Sequence, residues 1–173
     1  SRNGIVEREV RLLHLLGMHG VEVGVELVDQ QHVEAVLPDR DVAVGLDAAH
    51  DKVYVNNVAD RTISVIDSAT DSVIKTLPSG AGSDDNFGIV NHAYGRYYLA
   101  NSVDNTVTIV DTDTETVAGT VPVGTKPIQI QTDLNGGNVY VVNQGSHSVS
   151  VLDATTEAVL TSYGVGTGPW RIL

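Results

Sequence analysis

One stretch of sequence returns three times and limits what this chain can fold into. "VYVNNVADRTISVIDSATDSV" (Val53 to Val73) is matched by residues Tyr97 to Val117 and again by Val139 to Val159. Asn57, Asn101 and Asn143 correspond, and so do Asp67, Asp111 and Asp153, ten residues further on in each copy. The spacings between copies are 44 and 42 residues. A repeat of that length is the signature of a stacked array whose units cannot bury their apolar faces alone.

Each copy reads as short strands separated by polar turns. "VYVNN", "YYLAN" and "VYVVN" form one strand, "RTISVID", "NTVTIVD" and "HSVSVLD" the next, and "SVIKTLP", "TVAGTVP" and "AVLTSYG" a third. A further strand precedes them, since "DVAVGLDAAHDKVYV" aligns with "PIQIQTDLNGGNVYV". Four short strands per unit suit an antiparallel meander. In "TISVID", Ile63 and Val65 point to one face and Ser64 and Ile66 to the other, because side chains alternate along a strand. Val107 with Ile109 and Val149 with Val151 repeat the apolar face. A sheet with apolar residues on both sides needs cover on both sides, which a radial stack of blades supplies. The fold expected is therefore all-β: a β-propeller of four-stranded antiparallel blades.

The recurring polar residues have structural work to do. Each Asp ends a strand, where its carboxylate can accept backbone N–H groups two residues on and close a turn. Each Asn stands where a strand gives way to a turn. Gly124-Thr-Lys-Pro127 and Gly166-Thr-Gly-Pro169 mark the passage between units, with Pro ending one ladder before the next begins.

Taken together, "YVNN" (54–57), "YLAN" (98–101), "YVVN" (140–143), the strands that follow them and the G-x-x-P links resemble the YVTN family of β-propeller repeats. The resemblance covers residues 41–173. It implies a propeller of about seven blades, found mostly in exported or cell-surface proteins of bacteria and archaea. More distantly, it reaches propellers that bind cofactors or carry out lyase and lactonase chemistry.

On this basis the blades are expected at about 41–78, 85–122 and 127–164, followed by the first strand of another. Residues 1–40 depart from the pattern. "VEVGVELVD" and "HVEAVLP" read as the last two strands of a degenerate unit, with Asp29 in the place of Asp67. "IVEREVRLLHLL" places Val6, Val10, Leu13 and Leu16 at helical spacing, and reads as a short helix or irregular segment in preference to two eroded strands. Three blades and part of a fourth fall short of a seven-bladed ring: an open or incomplete ring belonging to a longer protein is expected, with self-association through its uncovered sheets, in preference to a small ring closed by the last strand joining the N-terminal unit.

Composition narrows the function classes. The formal net charge is −12, and acids exceed bases both in residues 1–52 and in residues 53–173. An acidic surface repels phosphate backbones, which argues against nucleic acid as a partner. There is no cysteine, which excludes disulfides, thiolate metal sites and a cysteine nucleophile. No apolar run reaches the roughly 18 residues of a membrane span, and no signal peptide is evident; export is implied by the family resemblance alone.

Short motifs with catalytic associations lack their context. "GVGTGP" (164–169) has no helix pattern after it, and "DTDTET" (111–116) lacks the glycine and glutamate of a calcium loop. "SVIK" (72–75) opens a strand, not the helix that Ser-x-x-Lys chemistry requires. The histidines His14, His19, His32, His50, His92 and His147 show no paired ligand spacing and read as loop residues. No metal or cofactor is expected.

A ligand site in such a scaffold belongs where the copies differ, at the starts of the inner strands around the axis. Polar residues there are Asp41, Asp85, Asn86, Lys126, Gln129 and Arg171. Asp85, Asn86, Lys126, Gln129 and Arg171 are the candidate ligand-binding residues. They contain no nucleophile–base pair. The expected function is non-enzymatic binding or scaffolding, with a protein or cell-envelope component as partner. The alternative is a lactonase- or lyase-type enzyme with its site at the channel mouth.

Overall fold

The computed structural model describes residues 24–29, 32–36, 44–81 and 87–172. The expected helical segment at the N-terminus, and Asp41, Asp85 and Asn86, lie outside the described residues.

Fourteen strands are present among the described residues, and no helix. A two-stranded hairpin, β1 (Gly24–Asp29) and β2 (His32–Val36), occupies the stretch read as the last two strands of a degenerate unit. Three four-stranded sheets follow. The first is β3 (Val44–Asp47), β4 (Lys52–Asn57), β5 (Thr62–Asp67) and β6 (Ser72–Pro78). The second is β7 (Gly88–Asn91), β8 (Arg96–Asn101), β9 (Thr106–Asp111) and β10 (Thr116–Pro122). The third is β11 (Pro127–Thr132), β12 (Asn138–Asn143), β13 (Ser148–Asp153) and β14 (Val159–Gly164). In each sheet the strands pair in chain order and antiparallel, as a meander. These are the blades of a β-propeller, set side by side in an arc that does not close among the described residues.

The apolar faces meet between blades. Ile63 and Val65 of β5 join Tyr54 and Leu77 of the same blade and Tyr97, Leu99 and Val110 of the next. On its other face, the second blade packs Tyr98, Ala100, Val107 and Ile109 against Ile130, Val139, Val141 and Leu152 of the third. The second blade is thus covered on both faces, as its strand pattern requires. The outer face of the third blade meets no further blade among the described residues. Val121 and Val123 pack against the seam between the second and third blades, whereas Tyr163 and Val165, 42 residues on, are exposed along with all of β14.

Turn chemistry repeats with the strands. Each recurring Asp accepts two backbone N–H groups on one carboxylate oxygen: Asp67 from Ala69 and Thr70, Asp111 from Asp113 and Thr114, Asp153 from Thr155 and Thr156. Each recurring Asn donates two bonds across to the next strand: Asn57 to Thr62 and Ser64, Asn101 to Thr106 and Thr108, Asn143 to Ser148 and Ser150. The residue before each third strand (Arg61, Asn105, His147) lies in the left-handed region, as do Asp71, Glu115 and Glu157 in the turns leading to the fourth strands. That backbone closes a turn whose twist suits the hairpin, at a steric cost for a non-glycine residue.

Backbone bonds then tie the turns into two ends. At one end the third-to-fourth-strand turn donates to the first-to-second-strand turn: Ser68 N–H to Asp51 O, Thr112 to Gly95 and Ala154 to Gly137. At the other, the interblade link donates to the second-to-third-strand turn: Ser79 N–H to Arg61 O, Val123 to Asn105 and Val165 to His147.

Candidate functional site

The sequence places its candidate residues at the link end. Lys126 is there, in the left-handed conformation at φ 53°. Its N–H donates to Asn105 Oδ1 at 2.8 Å, its carbonyl accepts the Gln144 N–H at 2.9 Å, and its ammonium donates to Gln144 Oε1 at 2.7 Å. Lys126 therefore fastens the turns of two neighbouring blades. Gln129, on the inner strand β11, accepts the Ile172 N–H on Oε1 at 2.7 Å. This bond lays the segment around Arg171 beside the inner strand, where the alignment of "PWRI" with "PIQI" puts a further inner strand. Arg171 itself is exposed. Gln129 and the Arg171 segment are brought together; the ammonium of Lys126 is engaged by Gln144 instead.

The opposite end carries a cluster that the sequence reading left as separate loop histidines. Asp47 closes β3 and is 2% exposed. Its carboxylate accepts the backbone N–H groups of Ala49 and His50 at 3.1 and 3.3 Å, and the His50 Nδ1–H at 2.8 Å. His92, from the β7–β8 turn of the next blade, brings Nδ1 to 3.4 Å from the same carboxylate. His50 Nε2 stands 3.3 Å from Asp113 Oδ1, also on the next blade. The backbone explains the meeting: Asp47, Asn91 and Asp133 hold the same place in three successive units, at the end of the inner strand. Asn91 repeats the reach across a seam, donating its Nδ2–H to Gly136 O at 2.8 Å.

Burial works to raise the Asp47 pKa, but the His50 hydrogen bond and the charges of His50 and His92 outweigh it and hold the carboxyl below its ordinary value. The bond to Asp47, and then its charge, raise the His50 imidazole above its own. The two carboxylates lie on different nitrogens of one ring, so the group does not converge on a point as metal ligands do. Among the described residues, no set of three or more His, Asp or Glu side chains is arranged to hold a metal. The cluster orients an imidazole and neutralises a buried carboxylate.

Ion pairs reinforce the blades on the same end. Lys52 Nζ lies 2.9 Å from Asp67 across β4 and β5. Arg96 binds Asp111 of its own blade at 2.8 Å and Glu157 of the next at 2.7 Å. Its guanidinium is held further toward the charged form, chiefly by the Glu157 bond.

No protein-family model matches the sequence, and no curated protein matches it. Solved structures do. A structure described as Kuenenia stuttgartiensis hydrazine synthase matches with TM-score 0.67 and 18% identity, over 83% of this chain and 41% of that one. Apo AztD from Citrobacter koseri matches with TM-score 0.58 and 16% identity, over 69% and 33%. Dihydro-heme d1 dehydrogenase NirN in complex with DHE matches with TM-score 0.56 and 18% identity, over 68% and 25%. At such identities the likeness shows the propeller fold alone. This chain spans less than half the length of each of the three. No helix among the described residues is long and apolar enough to cross a membrane.

Proposed function

We propose that this chain is a binding or scaffold segment of a YVTN-type propeller in an exported or cell-surface protein, with a protein or cell-envelope component as its partner. One observation carries the reading. The polar residues that recur in every blade are consumed by structural bonds, with each Asn on two hydroxyls and each Asp on two backbone N–H groups. Recognition then falls to residues that differ between blades, among which Lys126, Gln129 and Arg171 stand at the link end. A scaffold whose repeats hold the shape while variable positions meet the ligand is the usual division of labour in such folds. Export rests on the family resemblance.

The test is crosslinking and capture from an envelope fraction, with the wild-type chain and a Lys126→Glu/Arg171→Glu variant. Capture of one component by the wild type, and its loss in the variant, is the expected result. Turnover of a lactone or other small molecule, lost on Arg171→Ala, without any captured component, overturns the reading in favour of an enzyme.

A further inference from the structure

We infer that the seam between the first and second blades is a proton-operated clasp centred on His50. A neutral imidazole carries one N–H; only the imidazolium donates from both nitrogens. His50 faces a carboxylate at each nitrogen, Asp47 Oδ2 at 2.8 Å and Asp113 Oδ1 at 3.3 Å. Asp47 belongs to the first blade and Asp113 to the second. The charged ring therefore bridges the blades. Loss of the Nε2 proton turns a lone pair toward the Asp113 carboxylate and removes that bridge, while the bond to Asp47 within the blade persists.

The surroundings favour the charged ring. On its own turn stand Asp47 and Asp51, and on β4 Lys52 and Tyr54. The second blade presents His92 from its β7–β8 turn and Asp113 from its β9–β10 turn, and Asp111 and Glu115 of that turn act on the neighbouring Tyr54. The Asp47 and Asp113 carboxylates both touch the ring itself, whereas Lys52 is engaged by Asp67. His92 approaches Asp47 from the second blade and gives the buried carboxylate a second basic neighbour across the seam.

The next seam is an internal control. There the equivalent position is Asn91, whose amide bond to Gly136 O does not titrate. The charge link across that seam is Arg96 to Glu157, whose bond holds the guanidinium further toward its charged form. The two seams differ in pH response because an Asp–His pair in one replaces an amide in the other.

The sign follows from the protonation states. His50 is stabilised in its charged form, so its contribution is fully present below the ordinary imidazole pKa of 6.5 and is lost as pH rises through its higher folded value. Asp47 is stabilised as the carboxylate, so its contribution is present above the ordinary 3.8 and is lost as pH falls through its lower folded value. The clasp is tightest between those two ordinary values.

Amide hydrogen exchange tests the proposal, expressed as protection factors to remove the intrinsic pH dependence of exchange. Between about pH 5.5 and about pH 8.5, protection of the turns at 92–95 and 112–115 should fall by about threefold or more, and that at 136–138 and 155–157 should hold. His50→Gln and Asp113→Ala should each abolish the pH dependence; Asp113 is exposed, so the second variant keeps the fold. Equal protection at both pH values in the wild type, or a pH dependence that survives in both variants, overturns the clasp.

Discussion

Gly124, in the link leaving the second blade, lies directly on the side chain of Asn143 in the third: a Cβ added there would stand 2.6 Å from Asn143 Cγ. Gly80 meets Asn101 in the same way one blade earlier, at the same distance. The link glycine and the repeat asparagine are thus one joint, made between blades. Gly166 is the third member of the series, and nothing lies within 4 Å of its added Cβ. Gly124→Ala should cost about 1–3 kcal/mol through overpacking, and Gly166→Ala should stay within about 0.5 kcal/mol. Urea unfolding of the two variants makes the comparison.

Tyr97 takes the place of a valine found in the other two blades and stacks on Tyr54, with ring centroids 4.9 Å apart and planes at 15°. Its ring fills the space over Gly45 and Gly88, where a Cβ would come within 2.5 Å of Cε2 and 2.6 Å of Cζ. Its hydroxyl is buried without a hydrogen-bond partner among the described residues, as is that of Tyr98. Burial raises both phenol pKa values, that of Tyr98 to about 12. Tyr97→Val should therefore leave a cavity and cost about 3 kcal/mol. Tyr97→Phe, which removes only the unpaired hydroxyl, should be neutral or stabilising. Thermal unfolding of the pair separates ring packing from the phenol.

The turn aspartates set the response to acid. The Lys52 hydrogen bond, aided by the backbone N–H groups of Thr70 and Ala69, lowers the Asp67 pKa to about 2. Its contribution is fully present above the ordinary 3.8 and is lost as pH falls through about 2. Carboxyl NMR titration should find that midpoint, and Lys52→Met should move it back toward the ordinary value. Asp153 faces Asn138 instead of a cation; its lowering comes first from the Thr156 N–H, so Asn138→Ala should leave its titration nearly unchanged.

Much of the fold was legible because the physics of a blade is written locally. The 44- and 42-residue spacing, the alternation in "TISVID" and the Asp at each strand end all act within a hairpin, and sequence neighbours report them. The left-handed residues were not legible: Arg61, Asn105 and His147 occupy positions where glycine would have announced the turn. The His50–Asp47–His92 cluster was missed for a different reason. His50 and His92 lie about one blade apart in sequence and meet only because successive blades stack in register. The signal available was the shared place of Asp47, Asn91 and Asp133, a polar residue closing three inner strands. Lys126 was chosen as a ligand-binding candidate for its variation between blades; its bonds to Asn105 and Gln144, which join two blades, were not legible from that variation.

The central claim is that the asparagines shared by all blades hold the scaffold's turns, and that the link-end candidates differing between blades contribute less to its stability. Unfolding free energies of Asn101→Ala and Lys126→Ala, measured side by side in urea, test it most directly. Asn101 is fully buried and donates to Thr106 and Thr108 at 3.0 and 2.9 Å. Its loss should cost about 2–3 kcal/mol, and that of the Lys126 side chain less than about 1 kcal/mol. An unchanged stability for Asn101→Ala, or the larger loss falling on Lys126→Ala, would contradict the account.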